Sequence, residues 1–238
     1  MSSWFRSSLT TLFISLLCIV MLGTGICCTR QVRHNVYMDS YGPEVDLHAS
    51  LARVQSISLP GQDGGSMATA WAVTPDLLYT AGHFCDTMTR GIEAGLYAQE
   101  LLLEAPNKKG VLTKKFKSES FTSHIIMDMC IISAPNHGLT PLKLHDSHQL
   151  LRIGDILLTA GYPKGVEIIT YEEGRVGAIL DQVVYASIHV QPGASGSPVM
   201  WDSKVIGIVI KYRQEPHNCS ILMFVPELQK FLDDYLGE

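Results

Sequence analysis

The sequence predicts an all-β fold of barrels or sandwiches. Short runs rich in Val, Ile, Leu and aromatic residues recur along the chain, and clusters of Gly, Pro, Asn and Asp separate them. Few stretches carry apolar residues at helical spacing. With 238 residues, 46% hydrophobic and 17% charged, the chain can bury one sizeable core or two small lobes that share an interface.

The N-terminus stands apart from this pattern. Arg6 precedes an apolar run from Leu9 to Cys28, near the length that spans a bilayer and built like a secretory signal. Residues 1–28 are expected to be an export signal or an uncleaved membrane anchor. The rest would then be secreted, periplasmic or membrane-anchored outside the cytoplasm, although Arg30 and Arg33 run against the usual charge bias. Residues 29–50 are polar and mixed, broken at Tyr41-Gly42-Pro43, and read as a linker.

From Leu51 the strand signals follow one another. Val54 to Leu59 ends at a Pro-Gly-rich turn; Met67 to Val73 and Leu77 to Thr80 come next. Leu96 to Leu103, Val111 to Phe116, His124 to Met127 and Met129 to Ser133 continue the series until Asn136-His137-Gly138 breaks it. After Pro141 come Ile156 to Ala160, Glu167 to Glu172, Arg175 to Ile179, Val183 to Val190, Val199-Met200, Val205 to Ile210 and Ile221 to Val225. One helix is expected at the end, with Pro226 at its first position and Leu228, Phe231, Leu232 and Tyr235 as its apolar stripe.

Charge and cysteines narrow the function classes. The net charge is -5, with no basic face of the kind nucleic acid requires. Lys108, Lys109, Lys114, Lys115 and Lys117 read as a solvated hairpin. Of six cysteines, Cys85, Cys130 and Cys219 lie in the body; three cannot all pair within one molecule, and no C-x-x-C suggests a zinc site. No metal or cofactor is expected.

Three short stretches carry chemistry. Gln191-Pro192-Gly193-Ala194-Ser195-Gly196-Ser197-Pro198 lies between apolar runs. Alone it is a Gly/Ser turn, yet glycines on both sides of Ser195 leave its hydroxyl clear and let backbone N–H groups converge, as a serine nucleophile with an oxyanion hole requires. A serine hydroxyl is weak until a base takes its proton, and a carboxylate must hold that base in the right tautomer. His83 follows an apolar strand and the small residues Ala81-Gly82, which sets it apart from the other eight histidines. Asp128 stands inside Ile125-Ile126-Met127-Asp128-Met129-Cys130-Ile131-Ile132, where a carboxylate is costly unless paired.

Thr80-Ala81-Gly82-His83 resembles the segment around the catalytic histidine of trypsin-like serine peptidases. Asp128-Met129-Cys130-Ile131-Ile132 resembles their D-x-A-L-L motif, and Gly193 to Pro198 their G-D-S-G-G-P. The order His, Asp, Ser is that of the chymotrypsin clan. Leu151-Arg152-Ile153-Gly154-Asp155, then Ala160-Gly161-Tyr162-Pro163-Lys164-Gly165, and Val190-Gln191-Pro192-Gly193 resemble runs of the HtrA/Deg branch; the G-x-S-G-S-P ending is similar to bacterial glutamyl endopeptidases. The resemblance spans roughly 51–236.

The resemblance implies a fold of two six-stranded antiparallel β-barrels, the first over about 51–140 and the second over about 141–225. A short helix over 226–236 would complete a peptidase domain of 51–238, with no PDZ domain. It implies Ser195 as nucleophile, His83 as general base and acid, Asp128 as its orienter, and the N–H groups of Gly193 and Ser195 as oxyanion hole, acting on protein or peptide substrates. Ala194 stands where digestive trypsins carry the Asp that pairs with a freed N-terminus, so the loop must be shaped by its neighbours instead. The P1 pocket would draw on about Ser187 to Gln191 and Val209 to Arg213, including His189, which could favour an acidic P1 side chain, and Lys211. Cys85 and Cys130 each sit two residues from a proposed triad member; whether they pair is left open. A protease-fold binding module without activity is the alternative. An α/β-hydrolase does not fit, because its order would be Ser, Asp, His and its strands would alternate with helices.

Overall fold

The computed structural model describes residues 46–62, 64–145, 151–180, 183–213 and 219–237. The N-terminal apolar run and most of the linker lie outside the described residues. No described helix is long and apolar enough to cross a membrane.

Seven strands form the first sheet: β1 (Leu51–Ser58), β2 (Met67–Ala72), β3 (Leu77–Ala81), β4 (Tyr97–Pro106), β5 (Leu112–Lys117), β6 (Ser120–His124) and β7 (Met129–Ser133). Their order is β5-β4-β1-β2-β3-β7-β6, antiparallel throughout. That is one strand more than the resemblance implies. The second sheet closes on itself as a six-stranded antiparallel barrel in the order β10-β13-β12-β11-β8-β9. Its members are β8 (Ile156–Gly161), β9 (Thr170–Leu180), β10 (Val183–Ala186), β11 (Pro198–Trp201), β12 (Lys204–Arg213) and β13 (Cys219–Phe224).

The strands between the two halves are buried on both faces, which is why they read as unbroken apolar runs. Along β2, β3 and β7, Trp71, Leu77, Tyr79, Met129 and Ile131 join the core of the closed barrel. Their neighbours Ala70, Ala72, Leu78, Cys130 and Ile132 face the interior of the first sheet. The period of two thus sorts successive residues into two cores. The Tyr79 hydroxyl donates to the Leu228 carbonyl of the C-terminal helix α2 (Val225–Leu236), which packs Leu228, Phe231 and Leu232 onto the same core.

The structure differs from the strand series in four places. The strand expected over Val183 to Val190 is shorter, β10 ending at Ala186. A second helix, α1, runs from Gly82 to Glu93. Its buried stripe of Phe84, Cys85, Met88 and Gly91 has helical spacing, but interleaved Thr and Gly residues of low helix propensity disguise it. The two runs from Glu167 to Ile179 are one strand, β9. Gly174 interrupts the pattern not as a turn but because a Cβ there would lie 2.5 Å from the backbone N of Ile188, so it marks a close backbone approach inside the strand. Finally, the strand expected over His124 to Met127 lies upstream: β6 is Ser120–His124, and Ile125–Met127 form a 3-10 turn.

Cys85 of α1 and Cys130 of β7 form a disulfide, with Cα atoms 6.3 Å apart. It joins the helix that begins beside His83 to the strand that begins after Asp128.

Candidate active site

Where β3 ends, the chain turns directly into α1. Gly82 is required at this corner: a Cβ would lie 2.6 Å from Met129 N and 2.7 Å from the carbonyl carbon of Asp128. The close approach lets the Gly82 N–H donate to the Asp128 carbonyl at 2.8 Å. Asp128 itself follows the 3-10 turn with φ +50°, a left-handed conformation that Asp tolerates better than most residues. This kink between turn and β7 swings the carboxylate toward the start of α1 rather than leaving it on a strand face.

The carboxylate then meets His83 twice. Oδ1 accepts the His83 backbone N–H at 2.6 Å, satisfying one of the open donors at a helix N-terminus. The His83 ring lies with Nδ1 3.0 Å from both Oδ1 and Oδ2. A carboxylate can only accept, so Nδ1 carries the proton and Nε2 is the basic nitrogen. The two side chains stay accessible, at 49% and 28% exposure.

The loop ahead of β11 is pressed against the end of β3. Gly193 and Gly196 have φ of +96° and +83°, conformations that glycine alone adopts freely. A Cβ on Gly196 would strike the Thr69 carbonyl, come within 2.5 Å of Thr80 Oγ1 and within 2.7 Å of Ala81 N. Ser195 is therefore carried to the residues that immediately precede His83. Ser195 is partly exposed, whereas Ser197 is fully buried and out of a substrate's reach.

The loop's backbone bonds follow a selective pattern. The N–H groups of Ala194, Gly196 and Ser197 donate to the carbonyls of Gln191, Val209 and Ala194 at 3.0, 2.7 and 3.0 Å. Among the described residues, the N–H groups of Gly193 and Ser195 donate to no protein acceptor. Two unpaired donors flanking a partly exposed hydroxyl can receive an oxyanion.

A family model for the trypsin-like peptidase domain matches residues 68–208. The chain belongs to that family. This trypsin-like peptidase domain is also similar in fold to solved proteases. The Rv3671c protease of M. tuberculosis in its active form matches with a TM-score of 0.62 at 17% identity, covering 77% of this chain and 79% of that one. The serine endoprotease of Yersinia pestis matches with a TM-score of 0.65 at 14% identity, covering 83% and 68%. Among curated proteins no sequence matches.

The family resemblance also implicates two residues in the substrate pocket of the trypsin-like domain. His189 lies exposed on the segment between β10 and the Ser195 loop. Burial raises the Glu172 carboxyl above its ordinary 4.5, and His189 opposes that rise. The backbone of Lys211 pairs with Ile221 in the β12–β13 ladder; its side chain lies outside the described residues.

Other residues around the site escaped the motifs. Arg53 of β1 and Glu104 of β4 are register partners and form a buried ion pair. Arg53 Nη1 also donates to the Gly165 carbonyl at 2.6 Å. Gly165 ends the turn Pro163–Gly165, whose Lys164 N–H donates to the Pro192 carbonyl at 2.6 Å. Thr69 of β2 bonds the loop directly. The only sequence sign of these residues was an acid following Leu101-Leu102-Leu103.

Proposed function

We propose that this trypsin-like peptidase domain is a serine endopeptidase that acts on protein or peptide substrates through an acyl-enzyme. The observation that carries the proposal is the two-point grip of Asp128 on His83, beside a loop in which the N–H groups of Gly193 and Ser195 donate to no described protein acceptor.

In the proposed reaction, Ser195 Oγ attacks the carbonyl carbon of the scissile peptide while its proton passes to His83 Nε2. The carbonyl oxygen becomes an oxyanion and takes the N–H groups of Gly193 and Ser195. Asp128 stays ionised and stabilises the imidazolium through Nδ1–H. The imidazolium then gives its proton to the leaving amine as the C–N bond breaks, which leaves an ester on Ser195. Water, deprotonated by His83, attacks that ester, and return of the proton to Ser195 releases the acid and restores the enzyme.

A fluorophosphonate probe tests the assignment. One adduct on Ser195 in the folded protein, lost in Ser195→Ala and strongly slowed in His83→Ala, is the expected result. Absence of an adduct in folded wild type would instead leave a binding module. We also propose that the domain works outside the cytoplasm: the Cys85–Cys130 disulfide suits an oxidising compartment. Thiol titration of protein taken from its native compartment should find both cysteines oxidised.

A further inference from the structure

Thr69 is fully buried and sits in the middle of β2, with its N–H and its hydroxyl turned to the second barrel or to the Ser195 loop. Its backbone N–H donates to the Ser195 carbonyl at 2.9 Å. Its hydroxyl donates to the Gly193 carbonyl at 3.0 Å and accepts the Tyr162 N–H at 3.0 Å. Its own carbonyl accepts the Thr80 hydroxyl at 2.8 Å. One residue of the first sheet therefore holds the carbonyls on both sides of the Ala194–Ser195 peptide.

A peptide unit is planar and trans, so fixing a carbonyl fixes the plane of its peptide. Holding the Gly193 carbonyl sets the Gly193–Ala194 plane, and holding the Ser195 carbonyl sets the Ser195–Gly196 plane. Between them, the N–H of Ser195 has little freedom left. The N–H of Gly193 belongs to the peptide just before the first clamped plane. Gly193 is also the residue whose φ of +96° would most easily relax once its carbonyl were released.

On the peptidase assignment above, we infer that Thr69 is a positioning residue for the oxyanion hole, acting through its hydroxyl on Gly193 and its backbone on Ser195. In this domain Ala194 offers no carboxylate for an ion pair. The neutral clamp from β2 needs no freed N-terminus and is complete as soon as the two sheets dock.

The test compares wild type, Thr69→Val and Thr69→Ser. Val keeps the branched shape and removes the hydroxyl; Ser keeps the hydroxyl and removes a methyl. Losing one oxyanion donor outright costs on the order of 100- to 1000-fold in kcat. Loosening the hole in Thr69→Val should therefore cost about 10- to 100-fold in kcat with KM within about twofold, and Thr69→Ser should recover most of the loss. Hydrogen exchange of the 191–197 amides should quicken in Thr69→Val and not in Thr69→Ser, while the rest of the β-sheet amides keep their protection. Equal kcat and equal exchange in Val and wild type would overturn the inference. So would a Ser variant as impaired as Val, since shape rather than the hydroxyl would then matter. If wild type fails to react with a fluorophosphonate, the peptidase assignment falls, and the exchange comparison still decides whether Thr69 holds the loop.

Discussion

Arg53 and Glu104 face each other across the β1–β4 ladder, and Arg53 meets one Glu104 oxygen through both Nε, at 2.9 Å, and Nη2. Lys115 reaches the other oxygen at 3.0 Å. Burial alone would raise the Glu104 carboxyl, but the hydrogen bonds and charges of Arg53 and Lys115 outweigh it and hold the carboxyl below its ordinary value of 4.5. A carboxyl depressed on folding contributes stability above the unfolded value that is lost as pH falls through the folded one. Stability should therefore drop below about pH 4.5, and Glu104→Gln should flatten that acid limb in urea melts taken from pH 6 to pH 3.

Removing one partner of a buried pair leaves an uncompensated charge. Glu104→Ala should cost about 3–5 kcal/mol, and the double change Arg53→Met with Glu104→Leu should recover much of it. Activity should not recover in parallel, because the Gly165 carbonyl still loses its Arg53 donor. Chemical denaturation and kcat measured on the same three proteins check both halves; a double variant with wild-type kcat would show that the Pro163–Gly165 turn holds itself.

The disulfide makes a separate prediction. Cys85 and Cys130 are 45 residues apart, and a loop of that size restrains the unfolded chain by about 2–4 kcal/mol. The paired change Cys85→Ala with Cys130→Ala should lower the urea midpoint correspondingly, and adding reductant should lower it in wild type alone. Because the bridge ties α1 to β7, kcat should also fall more than KM rises.

How much of this was visible beforehand depended on sequence distance. His83 and Asp128 announce themselves because each sits in a short contiguous pattern, small residues before an imidazole and an acid among apolar neighbours. That they are hydrogen-bonded follows only from the β3–β7 register, which sets Ala81 opposite Met129. Thr69 and Gly193 are 124 residues apart, and Arg53 and Glu104 51; no local pattern encodes such partners. Most strands were legible from apolar period and turns; the mixed, polar Ser120–His124 strand was missed because it has no apolar run. Helix α1 was not, because its buried stripe includes Gly82 and Gly91, which serve contact rather than propensity. A Cβ at Gly91 would strike the Tyr97 ring.

His137 supplies a pH response on the alkaline side of the Glu104 effect. It is buried, with Nε2 donating to the Thr74 carbonyl at 3.1 Å and Nδ1 accepting the Leu139 N–H at 2.9 Å. That arrangement needs the neutral ring. Burial pushes its pKa below the ordinary 6.5; the Thr74 carbonyl and Asp76 oppose the shift, and Lys114 adds to it. The unfolded chain thus binds a proton that the folded one resists. The contribution is whole above about pH 6.5 and declines as pH falls through it, by at most about 1.4 kcal/mol per pH unit. Thermal unfolding between pH 8 and pH 5.5 should show a steeper fall for wild type than for His137→Phe; equal slopes would mean that the ring is already charged or exposed.

Gly82 bears most directly on the catalytic assignment. The atoms that a Cβ at this position would meet belong to the backbone of Asp128 and Met129, so no side chain can yield to make room. Gly82→Ala must push the start of α1 away from β7, lengthening the His83–Asp128 contacts without changing either residue. A displacement of about 1 Å in catalytic geometry is enough to cost on the order of 100-fold in rate. Asp128→Asn, by contrast, leaves the backbone in place and replaces one carboxylate oxygen by an NH2 donor, so that the pair no longer enforces the His83 tautomer, a loss of roughly 10⁴-fold where such a triad has been dissected. Gly82→Ala should therefore fall between wild type and Asp128→Asn in kcat/KM. Adding Asp128→Asn to Gly82→Ala should cost much less than in wild type, since both act through one pair. Full additivity of the two changes would show that Gly82 acts on stability alone.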